Sequence, residues 1–185
     1  EENMNYFIST GELSEDLHAS YIVEKIKNLD KNAKVYAIGG MNLKKQDVEI
    51  VRDIDSLAIM GFVEVVKNFN FLKKVLEETV EFILSNNIDR VVLVDYGGFN
   101  LKLLERLKLK KPSLKITYYI PPKVWIWGKK RVPKIAKADE ILVIFPWEVD
   151  FYKKENVKAL YFGNPFMEKY EKITKKGDNI LLLPG

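Results

Sequence analysis

The sequence predicts an α/β fold: a Rossmann-like parallel β-sheet with helices on both faces. Three observations lead there. Short apolar runs recur along the chain, each bounded by glycine, proline or polar residues, as strands buried on both faces require. Between them lie stretches with apolar residues at helical spacing. The connections are short, so each helix must cross back over the sheet to a parallel neighbour.

In chain order, residues 6–9 read as the first strand. From Ser14, a candidate N-cap, the residues Leu17, Tyr21, Ile22 and Ile26 fall on one helical face. Residues 34–38 form the second strand, ending at Gly39-Gly40, and residues 41–55 show no regular pattern. Residues 56–84 read as helical with a break near Gly61; beyond Asn70 the pattern fits one buried face. The central stretch is Val91-Val92-Leu93-Val94-Asp95-Tyr96-Gly97-Gly98-Phe99-Asn100. It reads as a buried third strand (residues 90–94), a tight turn at the two glycines and a helix over 99–109. A fourth strand (115–120) is stopped by Pro121-Pro122. A helix over 123–138, a fifth strand (140–144), a helix from Pro146 to about Lys154 and a sixth strand (157–161) follow. A short helix near 166–173 and a seventh strand from 179 complete the pattern. Residues 1–175 are expected to form one domain. Residues 176–185 are expected to be a linker and the first strand of a further α/β unit.

The chain has 185 residues, 47% of them hydrophobic and 30% charged, which supports a packed core of one domain. Thirty Lys and Arg face 26 Asp and Glu, a net charge of +4. That balance suits an anionic membrane surface, a phosphorylated ligand or nucleic acid, or simply a scattered basic surface. The absence of cysteine excludes disulfides and thiolate chemistry, and a single histidine leaves no paired ligands for zinc, so no metal is expected. No apolar run approaches the ~18–20 residues of a spanning helix, so any membrane role is expected to be peripheral.

Chemistry is expected at the carboxyl ends of the strands, where open α/β sheets bind ligands. The first loop lacks the glycine-rich dinucleotide fingerprint. It holds Glu12, Ser14, Glu15, Asp16 and His18, which serve equally as ligand contacts or as helix caps. Asp95, at the end of a buried strand, is either a general base or a turn acid. Between Met60 and Leu76 the apolar residues exceed one stripe and alternate with lysines, fitting either core or a lipid-facing surface. Trp125 and Trp127 adjoin Lys129, Lys130, Arg131 and Lys134; that cluster suits a single-stranded nucleic acid, an anionic sugar or a solvated helix face. No nucleic-acid-binding signature accompanies it, and nucleic acid is not expected as a partner.

Gly11-Glu12-Leu13-Ser14-Glu15-Asp16-Leu17-His18 resembles a G-E-x-S-G-D-x-H loop. Met60 to Val65 resembles M-G-[IF]-x-E-V, and Asp95 to Asn100 resembles D-x-P-x-F-N. Val124-Trp125-Ile126-Trp127 with Arg131 resembles V-W-A-W-x-x-x-R. Phe145-Pro146-Trp147-Glu148, Gly163-Asn164-Pro165 and Leu182-Leu183-Pro184-Gly185 resemble L-P-F-E, G-H-P and L-L-P-G. In this order the motifs resemble the lipid-A-disaccharide synthases, glycosyltransferases of the GT-B class that are about twice as long.

The resemblance implies the N-terminal, acceptor-side domain of a GT-B fold. It also implies transfer of 2,3-diacylglucosamine from UDP to the 6-hydroxyl of 2,3-diacylglucosamine 1-phosphate (lipid X), with inversion and without a cofactor. Asp95 is the implied base. Glu12, Ser14, Asp16, Asn100, Trp127 and Arg131 are implied substrate contacts, and Met60, Phe62, Val65, Val66, Phe69, Phe71 and Leu72 implied lipid or membrane contacts. The implied setting is cytoplasmic, peripheral on the inner membrane's anionic cytoplasmic face, with a homodimer conceivable for the full-length enzyme. A chain lacking the donor half is expected to be inactive alone. A non-catalytic lipid- or membrane-binding module on the same fold, and another GT-B glycosyltransferase, remain alternatives. Among the positions that depart from the pattern, Asn164 stands at a family histidine, Glu15 at a glycine, Gly97 at a proline, and Gly98 at what is usually an acid. The last change is expected to leave Asp95 as the site's lone carboxylate.

Overall fold

The computed structural model describes residues 3–55 and 68–164. The predicted elements at 166–173 and 179–183, the 175/176 boundary, and Met60, Phe62, Val65 and Val66 lie outside these residues. The side chains of Phe69 and Trp127 are likewise not described.

The described elements alternate as predicted. They are β1 (Asn5–Ser9), α1 (Leu13–Leu29), β2 (Lys34–Gly39), α2 (Met41–Lys44), β3 (Glu49–Asp53), α3 (Asn68–Ser85), β4 (Arg90–Val94), α4 (Gly97–Lys110), β5 (Lys115–Tyr119), α5 (Val124–Trp127), α6 (Val132–Ile135), β6 (Glu140–Val143), α7 (Pro146–Lys154) and β7 (Leu160–Tyr161). Seven strands form one parallel sheet in the order β3-β2-β1-β4-β5-β6-β7. The order reverses between β1 and β4, where Ser9 pairs with Leu93. That switch point opens a crevice beyond the strand ends.

Alternation along each strand feeds two apolar layers. Phe7, Val91, Leu93, Ile116 and Tyr118 pack on one face against Val75, Val80 and Ile83 of α3 and Leu103, Leu104 and Leu107 of α4. Ile8, Val92, Val94 and Tyr119 pack on the other against Ala19 and Val23 of α1 and against Leu43. The spacing of Val75, Leu76, Thr79, Val80 and Ile83 is the single buried face expected beyond Asn70.

Several local expectations are corrected. Residues 41–55, read as irregular, contain α2 and the strand β3. The strand was hidden because it lies at the sheet's edge, where Glu49, Arg52 and Asp53 replace an apolar run. α1 begins one residue before Ser14, which sits exposed in the first turn. Its N-cap is Glu12, whose backbone N–H donates to the Glu15 carboxylate at 3.1 Å. The helix read over 123–138 is broken. Gly128 adopts φ 98°, a 3-10 turn spans Lys129–Arg131, and α6 restarts at Val132 with Pro133 in its first turn. The sixth strand, read as 157–161, contributes only Leu160–Tyr161 to the sheet as β7.

The tight turn after β4 is not made by the glycines. Asp95 and Tyr96 take the left-handed conformation, at φ 41° and 45°, and Gly97 and Gly98 already belong to α4. Gly97 is required by packing: a Cβ there would sit 2.6 Å from Cγ of Pro122. A Cβ at Gly98 would meet nothing within 4 Å. Alanine at these neighbouring positions should therefore act in opposite directions. Gly97→Ala is expected to destabilise the chain by about 1–3 kcal/mol through overpacking. Gly98→Ala is expected to stabilise it by about 0.4–1 kcal/mol by restricting the unfolded chain. Urea unfolding of the two variants checks the signs.

Candidate active site

Asp95 leaves the end of β4 half-buried at the switch point. Its backbone is fixed from three directions. Its N–H donates to the Tyr119 carbonyl at 3.1 Å, and its carbonyl accepts the Tyr118 hydroxyl at 2.8 Å and the Asn100 amide at 3.0 Å. The carboxyl group takes no part in these three bonds. Burial raises its pKa above the ordinary carboxylate range, and the Glu12 charge adds to the rise; Lys123 and the Tyr96 N–H oppose it.

The remaining predicted residues divide into two groups. Glu12 and Ser14 are exposed and line a 340 Å³ pocket at the β1–α1 loop with Ile54 and Asp55. Arg131 is half-buried, its Nη1 3.4 Å from where a Gly97 Cβ would stand, at the start of α4. Trp127 lies on α5, whose Trp125 packs edge-on against Trp147 at 4.6 Å between ring centroids.

Asp16 and Asn100, by contrast, have no exposed surface. The Asp16 carboxylate accepts N–H groups of Gly40 at 2.6 Å and Asn42 at 2.8 Å, capping α2 and tying the β2 loop to α1. The Asn100 Oδ1 accepts the Ser9 hydroxyl at 2.6 Å, and its amide nitrogen faces the carbonyls of Ser9, Val94 and Asp95 at 3.3, 3.1 and 3.0 Å. Both residues build the crevice from beneath. His18 is also buried, edge-on to Tyr119, and burial lowers its pKa.

Beside the crevice a groove of about 520 Å³ runs between α3 and α4. Leu72, Leu76 and Phe99 give it apolar walls, Tyr96 and Gly98 lie at the Asp95 end, and Lys73, Lys102 and Arg106 add positive charge. Of the predicted lipid contacts, Leu72 lines this groove and is 39% exposed, while Phe71 packs against the core.

The expectation that Asp95 is the lone carboxylate is overturned by Glu15. Its carboxylate accepts the N–H groups of Gly11, Glu12 and, across the crevice at 3.2 Å, Tyr96, the residue following Asp95. Burial pushes its pKa up to about 7; the charges of Asp95 and Glu12 reinforce the rise, and the Gly11 and Glu12 N–H groups oppose it. Lys123, an exposed residue that acts electrostatically on Asp95, was also missed as a site residue. Its signal was its place just past a strand end, after Pro121-Pro122.

A carboxyl whose pKa is raised on folding binds its proton more tightly in the native state. Its stabilising contribution is therefore complete below the ordinary value of 4.5, declines as pH rises towards 7, and is gone above that. Glu15→Gln removes the dependence. The variant should gain up to about 3 kcal/mol relative to the parent chain between pH 4.5 and 7.5, read by urea unfolding at both values.

The fold defines the class: a Rossmann-like α/β domain of the GT-B type, with a crevice at the carboxyl ends of its parallel strands. The fold resembles that of UDP-GlcNAc 2-epimerase from Neisseria meningitidis in a crystal structure bound to UDP-GlcNAc. The TM-score is 0.64, over 87% of this chain and 46% of that one, and the sequences are 8% identical, so the likeness is one of fold. More particularly, the chain belongs to the lipid-A-disaccharide synthetase family, whose model matches residues 6–182. It is 36% identical over 168 residues to the lipid-A-disaccharide synthase of Geobacter metallireducens, covering 90% of this chain and 43% of that protein. It is 35% identical to that of Persephonella marina and 34% to lipid-A-disaccharide synthase 1 of Legionella pneumophila, covering 88% of this chain and 42% of each relative. The chain thus spans less than half the length of these relatives.

Proposed function

We propose that this chain forms the acceptor-side domain of a glycosyltransferase of lipid A biosynthesis. The reaction moves 2,3-diacylglucosamine from UDP to the 6-hydroxyl of lipid X. The observation that supports it most is Asp95: a half-buried carboxyl at the switch point, pushed up in pKa, on a turn whose backbone is held by Tyr118, Tyr119 and Asn100. Asp95 accepts the proton of the acceptor 6-hydroxyl. The freed oxygen forms a bond to the donor's anomeric carbon, the bond from that carbon to UDP breaks, and UDP leaves with the electron pair. A single displacement inverts the anomeric centre. A carboxylate made more basic by burial is a better proton acceptor for this step.

The other groups take supporting parts. Glu12 and Ser14 meet sugar hydroxyls from the first loop, and Arg131 supplies a cation for a phosphate. Asp16 and Asn100 act through the loops they hold. The groove between α3 and α4 takes acyl chain, and Met60, Phe62, Val65, Val66 and Phe69, close before Leu72 in the sequence, meet the lipid surface. Among the described residues no helix is long and apolar enough to cross a membrane. Contact with an anionic leaflet is peripheral and draws on the net charge of +4.

The test is UDP release by the full-length protein carrying this chain, given UDP-2,3-diacylglucosamine and lipid X. Release that requires both lipids supports the proposal. Release with a different sugar acceptor alone would make the protein another GT-B transferase. Vesicle binding with no release under any pairing would make it a lipid-binding module.

A further inference from the structure

Glu15 lies in the first turn of α1 and is only 7% exposed, yet none of its described hydrogen bonds is to a cation. One oxygen, Oε2, gathers the N–H groups of Gly11 and Glu12; the other, Oε1, accepts Tyr96 N–H. The carboxylate thereby stitches the β1–α1 loop to the β4–α4 turn across the switch point, joining residues 81 apart in sequence. The turn it grips is strained, since neither Asp95 nor Tyr96 is glycine and both hold positive φ. Asn100 and Tyr118 hold the carbonyl of Asp95, and Glu15 holds the N–H that follows it.

We propose that Glu15 is the second carboxylate of this site, a positioning residue that holds the Asp95 turn from α1. The inference rests on the reading of Asp95 as base. It also accounts for two departures at once: where the family pattern has glycine at position 15 and usually an acid at 98, this chain has the acid at 15 and glycine at 98. The carboxylate has moved from α4 to α1 while remaining beside the same turn.

The charged surroundings make the role measurable. Asp95 faces Glu12 and Lys123, and Glu15 faces Asp95 and Glu12. The Tyr96 hydroxyl feels Glu15 and Glu12, and that of Tyr118 feels Asp95, Glu15, Tyr152 and Arg131. The coupling runs from Asp95 to Glu15: the Asp95 charge raises Glu15, while the carboxylate that raises Asp95 is Glu12, so loss of Glu15 shows in the rate rather than in the titration of Asp95.

The experiment measures kcat and KM separately, across pH, for the full-length protein, comparing the parent with Glu15→Gln, Glu15→Ala and the exchange Glu15→Gly with Gly98→Asp. Open space at Gly98 admits the new side chain. Glu15→Gln offers an acceptor to only one side of the bridge and should lower kcat by about 3- to 10-fold, with KM and the acid limb little changed. Glu15→Ala, which also frees the turn, should lower kcat by about 10- to 100-fold with little change in KM. The exchange, which puts a carboxylate beside the same turn from α4, should recover part of the kcat lost in Glu15→Ala. Parent kcat in the Gln variant would overturn the proposal, even if the Ala variant misfolds, and so would a loss read only in KM. Failure of the underlying reading looks different, because Asp95→Asn would then retain the parent rate.

Discussion

Asp95→Asn is expected to lower kcat of the full-length protein by about 10²- to 10⁴-fold while leaving lipid binding within a few-fold. The substitution is nearly isosteric. On the proposed reading of Asp95 as the base, it removes the capacity to hold the acceptor's proton as the new bond forms. The turn should survive, because it is secured through the backbone: by Tyr119 carbonyl, by Tyr118 hydroxyl and by Asn100. Burial and the Glu12 charge both work against an ionised Asp95, so the neutral amide should leave the fold no less stable at neutral pH. The loss would thus separate cleanly from unfolding. Steady-state UDP release and equilibrium unfolding on the same preparation check both halves, and an unchanged rate would return Asp95 to the role of a turn acid.

The legible parts of this molecule are those whose cause is local. β4 could be read because Val91 to Val94 are buried on both faces and must all be apolar. α3 beyond Asn70 could be read because one side alone meets the sheet. Asp95 could be placed at a strand end for the same reason. The illegible parts depend on partners distant in sequence. α2 has only four residues and draws its cap from Asp16, 24 and 26 residues away from the groups it binds. The turn after β4 was assigned to Gly97 and Gly98, the residues most permissive of it. Long-range bonds from Glu15 and Tyr118 instead hold Asp95 and Tyr96 in that conformation. Glu15 was visible only as a departure from a pattern. Its nearness to Asp95 is a property of the β1–β4 pairing, which no window of sequence contains.

Asn100 carries the largest expected effect on stability. Replacement by leucine should cost about 3–5 kcal/mol, with a corresponding fall in the urea midpoint. The side chain has no exposed surface and sits where the ends of β1 and β4 meet α4. Its amide supplies donors to the carbonyls of Ser9, Val94 and Asp95, and its oxygen accepts the Ser9 hydroxyl. Leucine matches the volume closely and offers none of these bonds, so the polar groups around it stay buried without their partner. Asn100→Asp sharpens the case. It keeps the shape and the acceptor for Ser9 but replaces the donor with a group that, once ionised, faces carbonyl oxygens. The aspartate should therefore titrate above its ordinary value, and the variant's stability should fall as pH rises through that raised pKa. A simple packing role predicts the reverse order, with leucine tolerated and aspartate uniformly poor. Because the same amide fixes the Asp95 carbonyl, the residual folded population of either variant should also lose kcat more than it gains KM. Loss of stability without that kinetic change would confine Asn100 to the fold.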